Sequence, residues 1–189
     1  MTHDSQAHDS QAQHFLEVDG QVTEGDGPAD AESVARSIAL RRLSGTPQTR
    51  HQLDEAMANK DVPAEVRDNV LDRFAEVGLI DDAAFARAWV ESRQSSKGLS
   101  ARALAEELRR RGVTSAHIED AVGTIDPDDE ENAARALVER KLQTMGELDP
   151  ATRTRRLVAM LGRKGYPAGL AYRVVRESVD EAPDELFDV

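Results

Sequence analysis

The sequence has no cysteine and few aromatic side chains, and both absences narrow the kind of protein it encodes. A chain without cysteine has no disulfide framework, no thiolate zinc site and no cysteine nucleophile. Aromatic residues make up 4% of the 189 residues, and no run of alternating β-branched residues occurs. We therefore expect an all-α protein that is packed by small and aliphatic side chains and contains almost no strand.

Long apolar runs are missing as well. No stretch of the sequence has the length and hydropathy of a membrane span or of a signal peptide. We therefore expect no membrane contact and a cytoplasmic location.

Basic residues are absent from both ends of the chain, where the net charge of −12 is concentrated. Residues 1–32 hold eight acids, and residues 180–189 hold five. Removing these thirteen from the 36 acids leaves 23 acids against 24 bases in residues 33–179. The acidity therefore belongs to two tails, which we expect to be disordered, and the body between them is nearly neutral.

The body contains three similar helical segments. Their first helices align at Ala35–Ala39, Ala86–Val90 and Ala134–Val138, at offsets of 51 and 48 residues. This alignment predicts two sets of equivalent core positions, which are Val34, Phe85 and Ala133, and then Ile38, Trp89 and Leu137.

The second helices repeat too. Their predicted core pairs are Leu53 and Met57, Leu104 and Leu108, and Leu157 and Leu161, and the helices close at Asp61, Gly112 and Gly165 before an apolar residue in each case. Glycine and, less readily, aspartate accept the left-handed conformation that ends a helix. The pattern predicts an elongated, curved array of three-helix repeats at 33–80, 81–126 and 127–179, between the acidic tails 1–32 and 180–189.

Motifs of catalysis are not found. The sequence has no phosphate-binding glycine loop, no His-Glu-x-x-His and no Gly-x-Ser-x-Gly. We interpret His3, His8 and His14 as part of a polar tail, and the acidic residues between Asp126 and Glu131 as the start of a helix rather than a cation site. We expect no catalytic residue, no metal, no cofactor and no enzymatic activity.

Arginine clusters are the strongest functional signal from residue type alone. Guanidinium groups suit bidentate recognition of carboxylates or phosphates. The candidate partner-binding residues are Arg102, Arg109, Arg110, Arg111, Arg153, Arg155, Arg156, Arg163, Lys164 and Arg173.

The second repeat resembles the RecX family of recombination regulators. The matching residues are Gly78-Leu79-Ile80-Asp81-Asp82, Phe85-Ala86, Arg93, Lys97-Gly98, Leu108 and Arg111-Gly112-Val113. The resemblance extends over 33–179. It departs from the family at Thr49-Arg50-His51-Gln52-Leu53, where Arg-Ser-x-x-Glu-Leu is common, and residues 1–32 have no obvious family counterpart.

The resemblance implies a non-enzymatic protein, expected to act as a monomer, that binds the RecA recombinase filament on single-stranded DNA. Binding in the helical groove or at the end of the filament would impede extension, ATP hydrolysis, strand exchange and co-protease activity. The capping of filament ends, the blocking of the groove and disassembly stay open as mechanisms.

Two other functions remain open. Arg109 to Val113 joins two helices through a tight glycine turn, as helix-turn-helix units do. The alternative function is therefore a module that binds DNA directly through its arginine faces. Weak direct binding to DNA is also compatible with a regulator that binds the RecA filament. A generic helical scaffold would explain the repeats but not the resemblance.

Overall fold

The computed structural model describes residues 28–146 and 148–180, and it is helical throughout this part of the chain except for short turns and connections. The helices are α1 (Pro28–Leu43), α2 (Arg50–Ala58), α3 (Ala64–Glu76), α4 (Asp82–Lys97), α5 (Ala101–Arg109), α6 (Ser115–Val122), α7 (Pro127–Leu142), α8 (Pro150–Arg163) and α9 (Ala168–Asp180). No strand occurs in these residues. The interpretation of His3, His8 and His14 and the predicted disorder of both tails concern residues outside the described ranges, apart from residues 28–32 and 180.

The helices pack in three groups of three, which we call module 1 (α1–α3), module 2 (α4–α6) and module 3 (α7–α9). Each module has a separate cluster of buried apolar side chains. This architecture confirms the prediction of an all-α chain with three tandem three-helix repeats.

Helix α1 begins earlier than the end of the predicted tail at residue 32. Asp30 lies in its first turn, where a negative charge is favoured by the helix dipole. Ala31 is buried, and Glu32 forms an ion pair with Arg36 one turn later. The acids that suggested a tail here therefore start a helix.

The second helix of each module supplies the centre of the core. The predicted pairs are all fully buried: Leu53 and Met57 in module 1, Leu104 and Leu108 in module 2, Leu157 and Leu161 in module 3. The apolar residue after each turn, Val62, Val113 or Tyr166, is buried with them. Full burial of a Leu side chain contributes about 1.5–3 kcal/mol, so these positions dominate the stability of each module.

Five of the six core positions predicted for the first helices pack in or against the cores, the exception being Ala133, but the most deeply buried residues lie one position later. The fully buried positions are Ala35, Ala86 and Ala134, followed one turn later by Ala39, Val90 and Val138. Ile38 is buried as predicted, but its counterparts Trp89 and Leu137 are half-buried. The first helix packs closely on the third in every module, so small side chains occupy the contact and the large ones lie at its edge.

Neighbouring modules are joined at the N-terminus of a second helix. Between modules 1 and 2, the Thr49 hydroxyl donates to the carbonyl of Arg111 at 2.6 Å. The backbone N–H of Arg50 donates to the Asp82 carboxylate at 2.9 Å. The N–H groups of a first helical turn have no partner inside their own helix, so the following module completes the cap.

The junction between modules 2 and 3 repeats this arrangement. The N–H of Ser100 donates to the carbonyl of Lys164 at 3.1 Å, and the N–H of Ala101 donates to the Glu130 carboxylate at 2.7 Å. Glu130 and Asp82 are equivalent at the offset of 48 residues found for the first helices. The junction is therefore part of the repeat.

Two glycines are required at these junctions because of what lies next to them. Gly112 and Gly165 have φ angles of 74° and 90°. A Cβ on Gly112 would lie 2.2 Å from the His51 side chain, and a Cβ on Gly165 would lie 2.5 Å from the Ser100 hydroxyl and 2.6 Å from the Ala103 Cβ. Asp61 has the equivalent position in module 1, with φ 58°, and module 1 is the first module of the described residues. The left-handed turn was predicted at all three positions, and the close approach explains why two of them are glycine.

Tyr166 connects the core of module 3 to the second junction. Its side chain is 3% exposed, and its hydroxyl donates to the carbonyl of Gly98 at 3.2 Å. Burial, and then the nearby Glu130 carboxylate, raise the pKa of Tyr166 from 10.0 to about 12.

We expect Tyr166→Phe to make the protein less stable at neutral pH and more resistant to alkali than the wild type is. The lost hydrogen bond costs about 1 kcal/mol at pH 8. Unfolded chains release the tyrosine proton from about pH 10, whereas the folded protein retains it up to about pH 12. A rise in pH within this window therefore lowers the free energy of unfolding of the wild type, by about 1.4 kcal/mol at pH 11. The variant has no tyrosine proton to release at this position, so its free energy of unfolding does not fall for this reason.

Urea denaturation at pH 8 and pH 11, followed by circular dichroism, measures both effects. Tyr172→Phe is the matched control because Tyr172 is 61% exposed. An alkaline loss of stability in Tyr166→Phe as large as that in the wild type would contradict the prediction.

Candidate functional site

Six of the ten candidate partner-binding residues line one surface. A groove between α5 and the end of α8 is lined by Arg102, Arg109, Arg110 and Arg163, together with Glu106 and Glu107. A second groove, between the ends of α7 and α8, is lined by Lys141, Arg155, Arg156 and again Arg163. Since Arg163 belongs to both, we treat them as one feature, the arginine groove, defined by these seven basic residues.

Helix geometry explains how the sequence builds this surface. Arg102 and Arg109 are seven residues apart on α5, and Arg156 and Arg163 are seven apart on α8, so each pair lies along one helix face. The opposite faces carry the buried leucine pairs of modules 2 and 3. Packing of the leucines inward therefore turns the arginines outward.

The charges in the arginine groove are mostly not neutralised. Glu106 pairs with Arg109 and lies 3.8 Å from Arg110, and all three side chains are more than half exposed. Exposed pairs of this kind contribute about 0–1 kcal/mol and exchange readily for a partner's carboxylate or phosphate. Among the described residues no ion pair forms with the remaining cations, which are Arg102, Lys141, Arg155, Arg156 and Arg163. Arg155 still acts at longer range, because the pKa of the Asp149 carboxyl is lowered first by hydrogen bonds with Thr152 and then also by the charge of Arg155.

The other four candidates lie elsewhere. Arg111 is half-buried, with its guanidinium 3.7 Å from the centre of the Trp89 ring. Arg153 donates to the carbonyl of Leu148 at 3.3 Å. Arg173 binds Glu131, and Lys164 lies at the junction of modules 2 and 3.

Trp89 is at the centre of a cluster that the sequence did not reveal. The Arg93 guanidinium lies 4.2 Å from the ring on which Arg111 also stacks, and Phe85 stacks at 5.7 Å. The indole N–H donates to Glu107 at 2.9 Å. Cation–π contacts of this kind stabilise by about 0.5–2 kcal/mol, so Arg111 has a structural role in module 2.

Lys141 was not predicted as a partner-binding residue, because it belongs to α7 and lies near the arginines of α8 only through the fold of module 3. Its position in the last turn of a helix, where basic residues are common, gave no distinct signal.

The acidic run before module 3 has structural partners. Asp126 caps α7 by accepting from the N–H of Asp128 at 2.8 Å. Glu130 caps α5, and Glu131 binds Arg135 and Arg173. These contacts agree with its interpretation as a helix start. In residues 28–146 and 148–180, no group of three or more His, Asp or Glu side chains is arranged to hold a metal ion.

The described helices include none with the length and hydropathy of a membrane span.

Comparison with known proteins places all three modules in one family. Three family models match the chain, the first, second and third three-helix domains of RecX, at residues 35–74, 81–122 and 128–175. The Regulatory protein RecX of Streptomyces coelicolor is 52% identical over 161 residues, which cover 85% of this chain and 86% of that protein. The Regulatory protein RecX of Thermobifida fusca is 50% identical over 81% of this chain and 83% of its own length.

Solved structures agree in fold. The crystal structure of RecX from Lactobacillus salivarius superposes with a TM-score of 0.71 at 17% identity, covering 80% of this chain and 98% of that one. All three modules match RecX domains, and most of the chain matches RecX proteins in sequence. The chain belongs to the RecX family of regulatory proteins.

Proposed function

We propose that this protein regulates homologous recombination by binding the RecA filament on single-stranded DNA and inhibiting its extension, ATP hydrolysis, strand exchange and co-protease activity. The observation that carries the proposal is the arginine groove, in a chain of the RecX family. In this proposal the protein acts by occupying a surface of the filament, without catalysis and without a cofactor.

The shape of the site suits a filament. Modules 2 and 3 both contribute cations to the arginine groove, so a partner must present anionic groups along an extended surface. A filament repeats the same surface at each protomer, and several weak contacts along it combine into tight binding. Arginine is suited to such contacts because its planar group pairs with carboxylates and phosphates through two hydrogen bonds.

The alternative is a module that binds DNA directly through the same arginines. The unpaired cations of the arginine groove favour it, since phosphate contacts supply most non-specific affinity for DNA. Base stacking argues against it. Trp89 is enclosed by Arg93 and Arg111, and Tyr166 is buried, which leaves Tyr172 as the well-exposed aromatic side chain among the described residues.

The test is to add the purified protein to preformed RecA filaments and to follow ATP hydrolysis and filament length, with a parallel binding assay on bare single-stranded DNA. We expect ATP hydrolysis and filament length to fall at concentrations of protein that leave bare DNA mostly free. Tight binding to bare DNA without any effect on RecA would favour the alternative.

We propose that the protein acts as a monomer, in the cytoplasm where RecA filaments form. The ends of the array support this. Pro150 is the first residue of α8, as Arg50 and Ala101 are of α2 and α5, but it has no N–H to donate to a following module. Asp61 replaces the glycine that an upstream module would require. Both ends therefore lack a feature that the junctions between modules use.

A further inference from the structure

A second basic site lies between modules 2 and 3, apart from the cations of the arginine groove. It is a pocket formed where α4 ends and where α7 and the end of α8 approach it. Its charged residues are Lys97, Arg140 and Lys164, and we call it the junction pocket. None of the acidic side chains in the described part of the chain lines it.

The three cations are held together without a neutralising partner. Lys97 and Arg140 are exposed and form no ion pair among the described residues. Lys164 is fixed in place, because its carbonyl accepts from Ser100 and its Nζ donates to the carbonyl of Lys97. Burial lowers the pKa of Lys164, and the positive charges of Arg140 and Lys97 lower it further. The fold therefore holds three like charges close together, which disfavours the protonated form of Lys164.

Helix ends explain part of this arrangement. All three residues lie at or near a helix C-terminus, where a cation is favoured. Each helix end supplies a partial charge of roughly −0.5, so three ends do not balance three full positive charges. The pocket retains a net positive charge that an anion would neutralise.

We propose that the junction pocket binds a phosphate group, supplied by the backbone of single-stranded DNA. Cations that approach from three helices suit the tetrahedral oxygens of a phosphate better than a planar carboxylate. Arg140 offers paired donors, and the two lysines act as point charges. Because Lys97 belongs to module 2 and the other two to module 3, a bound phosphate would also bridge the modules and stabilise their junction.

The proposal does not depend on RecA, and its test uses the full-length protein alone. The first probe is fluorescein-labelled dT10, whose binding is followed by anisotropy at about 50, 100 and 200 mM KCl, a range in which phosphate contacts weaken strongly. The second probe is sodium pyrophosphate, whose effect on the Tm of the protein is measured. The variant is K97Q/R140Q. The matched control K60Q/R87Q removes two charges from exposed residues outside the pocket.

We expect dT10 binding to weaken in K97Q/R140Q and the slope of log K against log[KCl] to become shallower by about 0.7, the value for one phosphate contact on a single strand. Pyrophosphate should raise the Tm of the wild type and of the control by more than that of K97Q/R140Q, which keeps only the cations of the arginine groove and Lys164. Both variants should keep wild-type helicity, since the replaced side chains are exposed and unpaired.

If pyrophosphate raises the Tm less in K97Q/R140Q than in the control while dT10 binding is unchanged, the junction pocket binds phosphate, but the proposal that DNA supplies this phosphate is wrong. If K97Q/R140Q and K60Q/R87Q behave alike towards both probes, the junction pocket is not a phosphate site. Failure of the protein to inhibit RecA would leave either result unaffected, so the two proposals are tested separately.

Discussion

Gly165→Ala is expected to destabilise the protein by about 2–4 kcal/mol and to loosen module 3 from module 2. A left-handed conformation costs an alanine about 1 kcal/mol, and overpacking a close contact adds about 1–3 kcal/mol. The added methyl group would lie 2.6 Å from the Ala103 Cβ and 3.1 Å from the Ala103 backbone nitrogen. These atoms belong to α5, whose core leucines are fully buried, so the helix cannot easily retreat.

Gly78→Ala is the matched control for this prediction. Gly78 has a similar φ of 73°, but a Cβ there would meet nothing within 4 Å. The control therefore measures the backbone cost alone, about 1 kcal/mol. Gly112→Ala should cost at least as much as Gly165→Ala, because the atom that it would meet at 2.2 Å is the His51 Cβ, which rotation of the side chain cannot move.

Urea denaturation followed by circular dichroism ranks the three variants, and small-angle scattering reports whether Gly165→Ala extends the molecule. Equal losses of stability in Gly165→Ala and Gly78→Ala would show that the close approach at the second junction contributes nothing beyond backbone strain.

The sequence predicted the modules well because their cores are local. Leu104 and Leu108 are four residues apart on one helix, and the same pair occurs in all three modules. A pattern of this kind is visible in the order of residues alone. The first helices were predicted less well, since the large Trp89 suggested a core position that the small Ala86 and Val90 occupy.

The junctions could not be predicted, because they depend on contacts between residues far apart in sequence. Thr49 bonds to Arg111, 62 residues away. Glu130 was read as a helix start, and its contact with the N-terminus of α5 appeared only in the folded chain. For the same reason the sequence grouped Arg111 and Arg173 with the other arginines, whereas the fold commits one to Trp89 and the other to Glu131.

The arginine groove leads to the prediction with the largest functional effect. R102E/R163E should raise the concentration of protein required for half-inhibition of RecA ATP hydrolysis by at least about tenfold, a loss of about 1.4 kcal/mol in binding. Both arginines are exposed and form no ion pair among the described residues, so their reversal breaks no internal contact. The change turns two attractive contacts into repulsive ones at the centre of the arginine groove.

Other basic residues make poorer tests. Lys164 holds the junction through its Nζ, so its reversal would affect folding. Reversal of Arg109 or Arg110 would place a new carboxylate beside Glu106. R87E/R176E is the matched control, since it makes the same change in net charge at exposed positions on α4 and α9, outside the arginine groove.

Half-inhibition concentrations should be measured for the wild type and both variants at the same ionic strength, because contacts between exposed charges weaken as salt rises. Circular dichroism establishes that each variant is folded. Equal loss of inhibition in R102E/R163E and R87E/R176E would mean that overall charge, rather than the arginine groove, governs the encounter with the filament. A loss confined to R102E/R163E, which becomes smaller as salt is added, is the result that an interface built from these arginines requires.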